Sequence, residues 1–157
     1  HLLDQILAIA SPGPIQVSGA LKTILHGDDY FNSFLTFADD STAQVEMSRG
    51  NRLKVYPRFH IAFEKGDLMI IAGKQDEFFI HTKMDGQKED IQKLPDPPDF
   101  PIQSRPFYHN VFATIRGEES LIVTPEQGRR YVSVADAIVR SARKHKTITV
   151  EWGEEAE

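Results

Sequence analysis

The first residues of the chain combine two side-chain types that can take part in proton transfer. His1 and Asp4 are three positions apart, and in a helix this spacing places both side chains on one side of a single turn. An imidazole beside a carboxylate can act as a general acid or base, with the carboxylate as its electrostatic partner. On spacing alone, a surface pair at a helix start is the commoner explanation, so the pair needs support from the rest of the sequence.

The other candidate residues are scattered along the chain. Tyr56 and Arg58 flank a proline at the entrance of an expected strand, where a binding role and a plain surface role are both open. His60 and His81 lie in expected strands and can share one face of a sheet, but the sequence does not establish that they pair. The sequence contains no G-x-G-x-x-G, Walker, G-x-S-x-G or H-E-x-x-H motif, and its histidines show no metal-ligand pattern.

Composition excludes several classes of function. The 157 residues include 18 Lys and Arg against 23 Asp and Glu, and the formal net charge of -5 disfavours nucleic-acid binding, which relies on clustered cations. The absence of cysteine excludes a disulfide framework, thiolate catalysis and cysteine-ligated metals. It also fits a reducing compartment, and no apolar run approaches the roughly 18 residues of a membrane span. We therefore expect a cytoplasmic protein that binds neither nucleic acid nor membrane.

The hydrophobic pattern predicts a helix followed by a series of strands. Residues 2–10 have helical periodicity, which Ser11-Pro12-Gly13-Pro14 ends. Short segments separated by turn residues predict strands at residues 15–26, 30–37, 42–48, 57–63, 68–72 and 78–83. Strands spaced this closely are typical of a largely antiparallel sheet.

Two helices and a closing strand are predicted in the C-terminal third. The first helix spans residues 105–117. The second follows the capping-box pattern Thr124-Pro125-Glu126-Gln127. Its expected buried residues are Tyr131, Ala135, Ile138 and Ala142. The closing strand spans residues 147–152. The sequence thus predicts an α+β fold, an open, mostly antiparallel β-sheet with helices packed on one face, in a single domain over residues 1–157.

In their order, these motifs resemble the C-terminal domain of the glucose–fructose oxidoreductase / inositol dehydrogenase (Gfo/Idh/MocA) family, over essentially the whole chain. The family's H-x-x-D helix is similar to His1-Leu2-Leu3-Asp4, and its strand–turn–strand ending in E-x-G is similar to residues 57–68. The strongest similarity comprises Phe107-Tyr108-His109-Asn110-Val111, Ile115-Arg116-Gly117, Val123-Thr124-Pro125-Glu126-Gln127-Gly128, Asp136-Ala137-Ile138-Val139-Arg140-Ser141-Ala142 and Lys146-Thr147-Ile148-Thr149-Val150.

The resemblance implies roles for particular residues. The family's general acid/base histidine matches His1, and its substrate-contacting aspartate matches Asp4. Tyr56 or Arg58 stands near a position that often reaches the substrate in relatives. The family's Rossmann domain, which binds NAD or NADP, its catalytic lysine and an aspartate four residues before the histidine would all precede residue 1. We therefore expect a fragment of a longer two-domain protein that is inactive alone and holds no cofactor-binding or metal site itself.

Two functions from different classes follow, and a third possibility is a family member whose chemistry has decayed to a sensor or scaffold, which loss of the upstream lysine and aspartate would reveal. The first is the substrate-binding and dimerisation domain of an NAD(P)-dependent oxidoreductase that acts on a sugar, cyclitol or related polyol and forms a homo-oligomer through the open sheet face. The alternative is a stand-alone, non-catalytic α+β ligand-binding or dimerisation module. An upstream strand–GxGxxG–helix unit would favour the first, whereas an initiator Met shortly before His1 would favour the second.

Overall fold

The computed structural model describes residues 2–10, 13–23, 30–48, 57–72, 77–95 and 105–152. The chain divides into two units, one formed by His1–Asn51 with Leu121–Glu157 and the other by Arg52–Ser120. In chain order, the elements are α1 (Leu2–Ile9), β1 (Pro14–Lys22), β2 (Tyr30–Phe37), β3 (Thr42–Ser48), β4 (Pro57–Phe63), β5 (Gly66–Ala72), β6 (Phe78–Met84), β7 (Asp90–Lys93), α2 (Arg105–Ile115), α3 (Pro125–Lys144) and β8 (Ile148–Thr149).

The first unit is an antiparallel sheet with α3 packed against it. The strand order is β3-β2-β1-β8, and β1 and β2 are paired so that Val17 lies opposite Leu35. Both side chains are fully buried, as are Val134 and Ile138 of α3. Because side chains alternate along a strand and recur every three or four positions along a helix, these elements each present one apolar face to a common core.

The buried face of α3 differs from the predicted one by a small rotation. Ile138 is buried as expected, but Tyr131 is only partly buried, whereas Val134 and Ala137 are fully buried. Gly19 of β1 has no side chain, and Ile138 of α3 lies directly against it. A Cβ atom at that glycine would lie 2.6 Å from Ile138 Cγ2. The periodicity predicted an apolar face of α3 correctly, but the centre of that face is formed by Val134, Ala137 and Ile138.

The second unit contains the antiparallel sheet β4-β5-β6-β7 and the helix α2. Alternate residues place one apolar set on the same face, and these are Phe59, Ile61, Phe63, Leu68, Ile70 and Ile80. None of the strand residues whose burial is described in this sheet is fully buried. In α2, the buried Asn110 donates hydrogen bonds from Nδ2 to Glu119 Oε2 (3.0 Å) and to the Ser120 carbonyl (2.8 Å).

The α+β class predicted from the sequence is confirmed, with the described strands forming two four-stranded antiparallel sheets. The predicted bounds of β2, β3 and β4 match the observed ones. β7 was not predicted, and the expected closing strand is reduced to Ile148–Thr149. The predicted extension of β1 beyond residue 23 falls outside the described residues. None of the described helices is both long and apolar enough to cross a membrane.

Candidate functional site

Asp4 is held by a short helix that is anchored in the core of the first unit. It lies in the first turn of α1, where a carboxylate interacts favourably with the positive end of the helix. The neighbouring Leu3 is only 6% exposed and belongs to the core cluster. Because Leu3 points into the core, the exposed Asp4 side chain is kept at the surface of α1.

An open depression of about 240 Å³ lies beside Asp4 and is lined also by Val123, Gly128 and Tyr131. Three of these four residues belong to α3 or to the segment just before it. The sequence did not single them out for a site, since Tyr131 was predicted as a core residue. The Tyr131 ring is partly buried against the core and is still accessible from the depression.

The start of α3 is fixed by the predicted capping box. The Thr124 hydroxyl accepts a hydrogen bond from the Gln127 N–H (3.2 Å), and the Gln127 side-chain oxygen accepts one from the Thr124 N–H (2.8 Å). Pro125 occupies the first helical position, where its missing N–H is not needed. The wall of the depression that α3 supplies is therefore a well-defined helix terminus.

Charges of both signs lie near this wall. The pKa of Glu126 is lowered because its carboxylate accepts hydrogen bonds from its own N–H and from Thr124. The two cations of the next turn are directed to Trp152. Arg129 donates a hydrogen bond to the Trp152 carbonyl, and the Arg130 guanidinium carbon lies 5.4 Å from the centre of the Trp152 ring. Among the described residues that line the depression, Asp4 is the one that carries a charge.

Arg58, the other described candidate, lies in the second unit. Its exposed side chain leaves β4 and places the guanidinium carbon 5.3 Å from the centre of the Phe78 ring. A cation–π contact at an exposed site contributes about 0.5–1 kcal/mol. The Phe78 ring thus restricts the positions that the Arg58 guanidinium occupies. His1 and Tyr56 lie outside the described residues, so their roles stay predictions.

His60 and His81 share one face of the second sheet, as the sequence allowed. The register places both opposite Met69, and each imidazole contacts a carboxylate of its own. His60 Nε2 lies 3.1 Å from Asp67 Oδ1, and His81 Nδ1 lies 2.8 Å from Glu89 Oε1. Within the described part of the chain, no group of three potential ligands is placed to hold a metal ion.

Comparisons with solved structures extend these observations to related proteins. The chain is similar to an NAD-binding protein from Listeria innocua, with 25% identity and a TM-score of 0.75 over 98% of this chain and 46% of that one. It shares the fold of an aldose-aldose oxidoreductase from Caulobacter crescentus in complex with glycerol (20% identity, TM-score 0.71, 94% and 44% of the two chains). It also shares the fold of a levoglucosan dehydrogenase in complex with NADH and L-sorbose (18% identity, TM-score 0.71, 95% and 48%).

The chain thus spans about half the length of these structures. Comparison with curated protein sequences finds no match. The model of the oxidoreductase family's C-terminal alpha/beta domain matches residues 10–150, which is nearly the whole chain. The chain therefore belongs to the Gfo/Idh/MocA oxidoreductase family, of which it represents the C-terminal alpha/beta domain.

Proposed function

We propose that residues 1–157 form one C-terminal domain that binds the substrate and mediates dimerisation in a longer NAD(P)-dependent oxidoreductase acting on a sugar, cyclitol or related polyol. The observation that carries this proposal is the position of Asp4, which lines an open depression in a domain of an oxidoreductase family. Structures with the same fold include an aldose-aldose oxidoreductase with glycerol and a levoglucosan dehydrogenase with L-sorbose. A cytoplasmic location is proposed from the cysteine-free composition.

The described residues do not fit a dinucleotide. The phosphates of a bound dinucleotide are typically held by free N–H groups at a helix start together with closely spaced glycines. At the start of α3, the Gln127 N–H is bonded to the Thr124 side chain instead. Gly13 lies against the Trp152 ring and Gly19 lies against Ile138, so neither offers room for a phosphate. We therefore assign NAD or NADP to protein outside these described residues and derive no step through it.

In this proposal, His1 and Asp4 divide two tasks. Oxidation of an alcohol to a carbonyl releases the hydroxyl proton, and an imidazole with a pKa near neutrality is suited to accept it. We assign that role to His1, which immediately precedes α1. Asp4, one turn along the helix, accepts hydrogen bonds from substrate hydroxyls or from the imidazole. Tyr56 and Arg58 remain proposed substrate contacts.

The test uses the complete product of the gene that encodes this chain, assayed with NAD and NADP against glycerol, myo-inositol and a panel of aldoses. Removing a charged hydrogen-bond acceptor costs about 1.5–3 kcal/mol, so Asp4→Asn is expected to lower kcat/KM about 10–150-fold. Glu46→Gln, at an exposed position of β3, is the matched control and should leave kcat/KM unchanged. Full activity in both Asp4→Asn and His1→Ala would refute the roles assigned to these residues, whereas a complete product without oxidoreductase activity would favour the non-catalytic module.

Dimerisation is proposed through the apolar face of the second sheet. Phe63 is on this face and is 59% exposed, so a second copy could bury it without changing the fold of the strand. Its neighbour Ala62 is also exposed but points to the opposite face. Phe63→Lys is expected to yield monomers in sedimentation experiments, whereas Ala62→Lys should leave the dimer intact. Identical behaviour of the two variants would argue against this face.

A further inference from the structure

The first turn of α3 contains a glycine that lines the depression beside Asp4. Gly128 occupies the first turn of this helix, and a Cβ atom added there would meet nothing within 4 Å. No close contact requires a glycine at this position, although glycine is unfavourable in a helix. What the missing side chain does provide is space, because Gly128 lines the depression beside Asp4.

The depression combines polar and apolar groups in a way that suits a small polyhydroxylated molecule. The Asp4 carboxylate can accept hydrogen bonds from two neighbouring hydroxyl groups. Tyr131 offers a partly buried aromatic ring, and Val123, which is 49% exposed, supplies an apolar rim. Such an arrangement of a few polar groups in an apolar lining fixes the orientation of a ligand.

Charge further restricts the ligand. The described lining contains a carboxylate and no cation. The nearby Arg129 and Arg130 keep their charge, but they contact Trp152 and do not line the depression. A phosphate or carboxylate on the ligand would approach the Asp4 carboxylate with no cation beside it in the described lining, which is unfavourable because like charges repel.

We propose that the Gly128–Tyr131 turn of α3 is the specificity-determining wall of the substrate site and that it selects an uncharged polyol over phosphorylated or carboxylated sugars. This inference rests on the proposed oxidoreductase function and deepens it. Gly128 sets how large a ligand the wall admits. Tyr131 packs against its C–H groups, and Asp4 sets its charge and orientation.

The test compares graded variants of the complete protein with glycerol, myo-inositol and glucose 6-phosphate as probes. Gly128→Leu places a side chain in the depression and should raise KM for myo-inositol at least tenfold, with a smaller effect on kcat and on the KM for glycerol. Gly128→Ala should lie in between. Val132→Leu enlarges an exposed side chain on the same helix that does not line the depression, and it should leave KM unchanged.

Charge selection has its own readout. The wild-type protein should have a higher kcat/KM for myo-inositol than for glucose 6-phosphate. Asp4→Asn should lower the ratio of these two kcat/KM values at least fivefold. If Gly128→Leu leaves the KM values unchanged while Asp4→Asn still lowers activity, the role of the Gly128–Tyr131 turn in specificity is refuted. The proposed oxidoreductase function would then remain in place. Preferred turnover of glucose 6-phosphate would overturn the charge argument alone. A complete protein that neither binds nor oxidises any of the three probes would refute both proposals.

Discussion

A methyl group added at Gly19 tests the close contact between β1 and α3. The added Cβ would lie 2.6 Å from Ile138 Cγ2 and 2.9 Å from the Ile138 carbonyl oxygen. Both distances are shorter than a van der Waals contact. A side chain can rotate away, but the carbonyl belongs to the helix backbone, so relief requires α3 to move away from the sheet.

The expected cost can be worked out from this geometry. Overpacking a core costs about 1–3 kcal/mol, and the backbone contact places Gly19→Ala toward the upper end. Replacing glycine by alanine also lowers the conformational entropy of the unfolded chain, which stabilises the fold by about 0.4–1 kcal/mol. We therefore expect a net loss of about 2 kcal/mol in the free energy of unfolding. In a chain of this length, that corresponds to a decrease in Tm of about 4–8 °C.

A hydrogen bond between β1 and α3 reinforces the same contact. The Gly19 N–H donates to Ser141 Oγ at 3.0 Å, and that hydroxyl in turn donates to the Lys146 carbonyl at 2.6 Å. Ser141 is almost completely buried. Any movement of α3 away from β1 would stretch the first of these bonds, so the strain cannot be relieved without a further loss.

The assay is urea unfolding followed by circular dichroism, with Gly128→Ala as the matched control. At that exposed helical position nothing lies within 4 Å of the added Cβ, so the same substitution should stabilise the protein by about 0.5–1 kcal/mol. In an Ile138→Ala background, Gly19→Ala should cost less, because one of the two clashes is gone. A neutral or stabilising Gly19→Ala would refute the close approach described here.

Two further predictions concern local hydrogen bonds. Thr124→Ala removes the acceptor for the Gln127 N–H and should lower the free energy of unfolding by about 1 kcal/mol in the same urea assay, whereas Thr124→Ser should retain most of it. The pKa of Asp39 is lowered by hydrogen bonds from the Ser41 hydroxyl and N–H. A carboxyl whose pKa is lower in the folded state stabilises the fold at pH values above its pKa in the unfolded chain. The stabilisation by Asp39 is therefore lost as the pH falls through its folded-state pKa. Ser41→Ala should raise the Asp39 pKa in an NMR titration, and an unchanged value would contradict the assigned cause.

The sequence predicted best those elements whose cause is local. β2 and β3 have the predicted bounds because turn residues separate two segments of suitable strand composition. The capping box at Thr124 formed as predicted, since its two hydrogen bonds join residues only three positions apart. β7 was missed because its four residues are all exposed and its strand conformation comes from pairing with β6.

The candidate site was predicted only in part for the same reason. Asp4 was found from its spacing and from the resemblance to a family. Gly128 and Tyr131 were not, because nothing in the sequence near them indicates that they line a depression with a residue more than a hundred positions away. The partners of His60 and His81 likewise depended on strand register and turn geometry, which placed Asp67 and Glu89 beside them.

The sequence by itself therefore determined the α+β class, the family, the order of most elements and the helix that carries Asp4, because periodicity, turns and caps act over a few residues. The tertiary structure decided which face of α3 meets β1, why Gly19 must be small and which residues share the depression with Asp4. These features depend on the distance between elements far apart in the chain, which is set by the side chains that meet in the core.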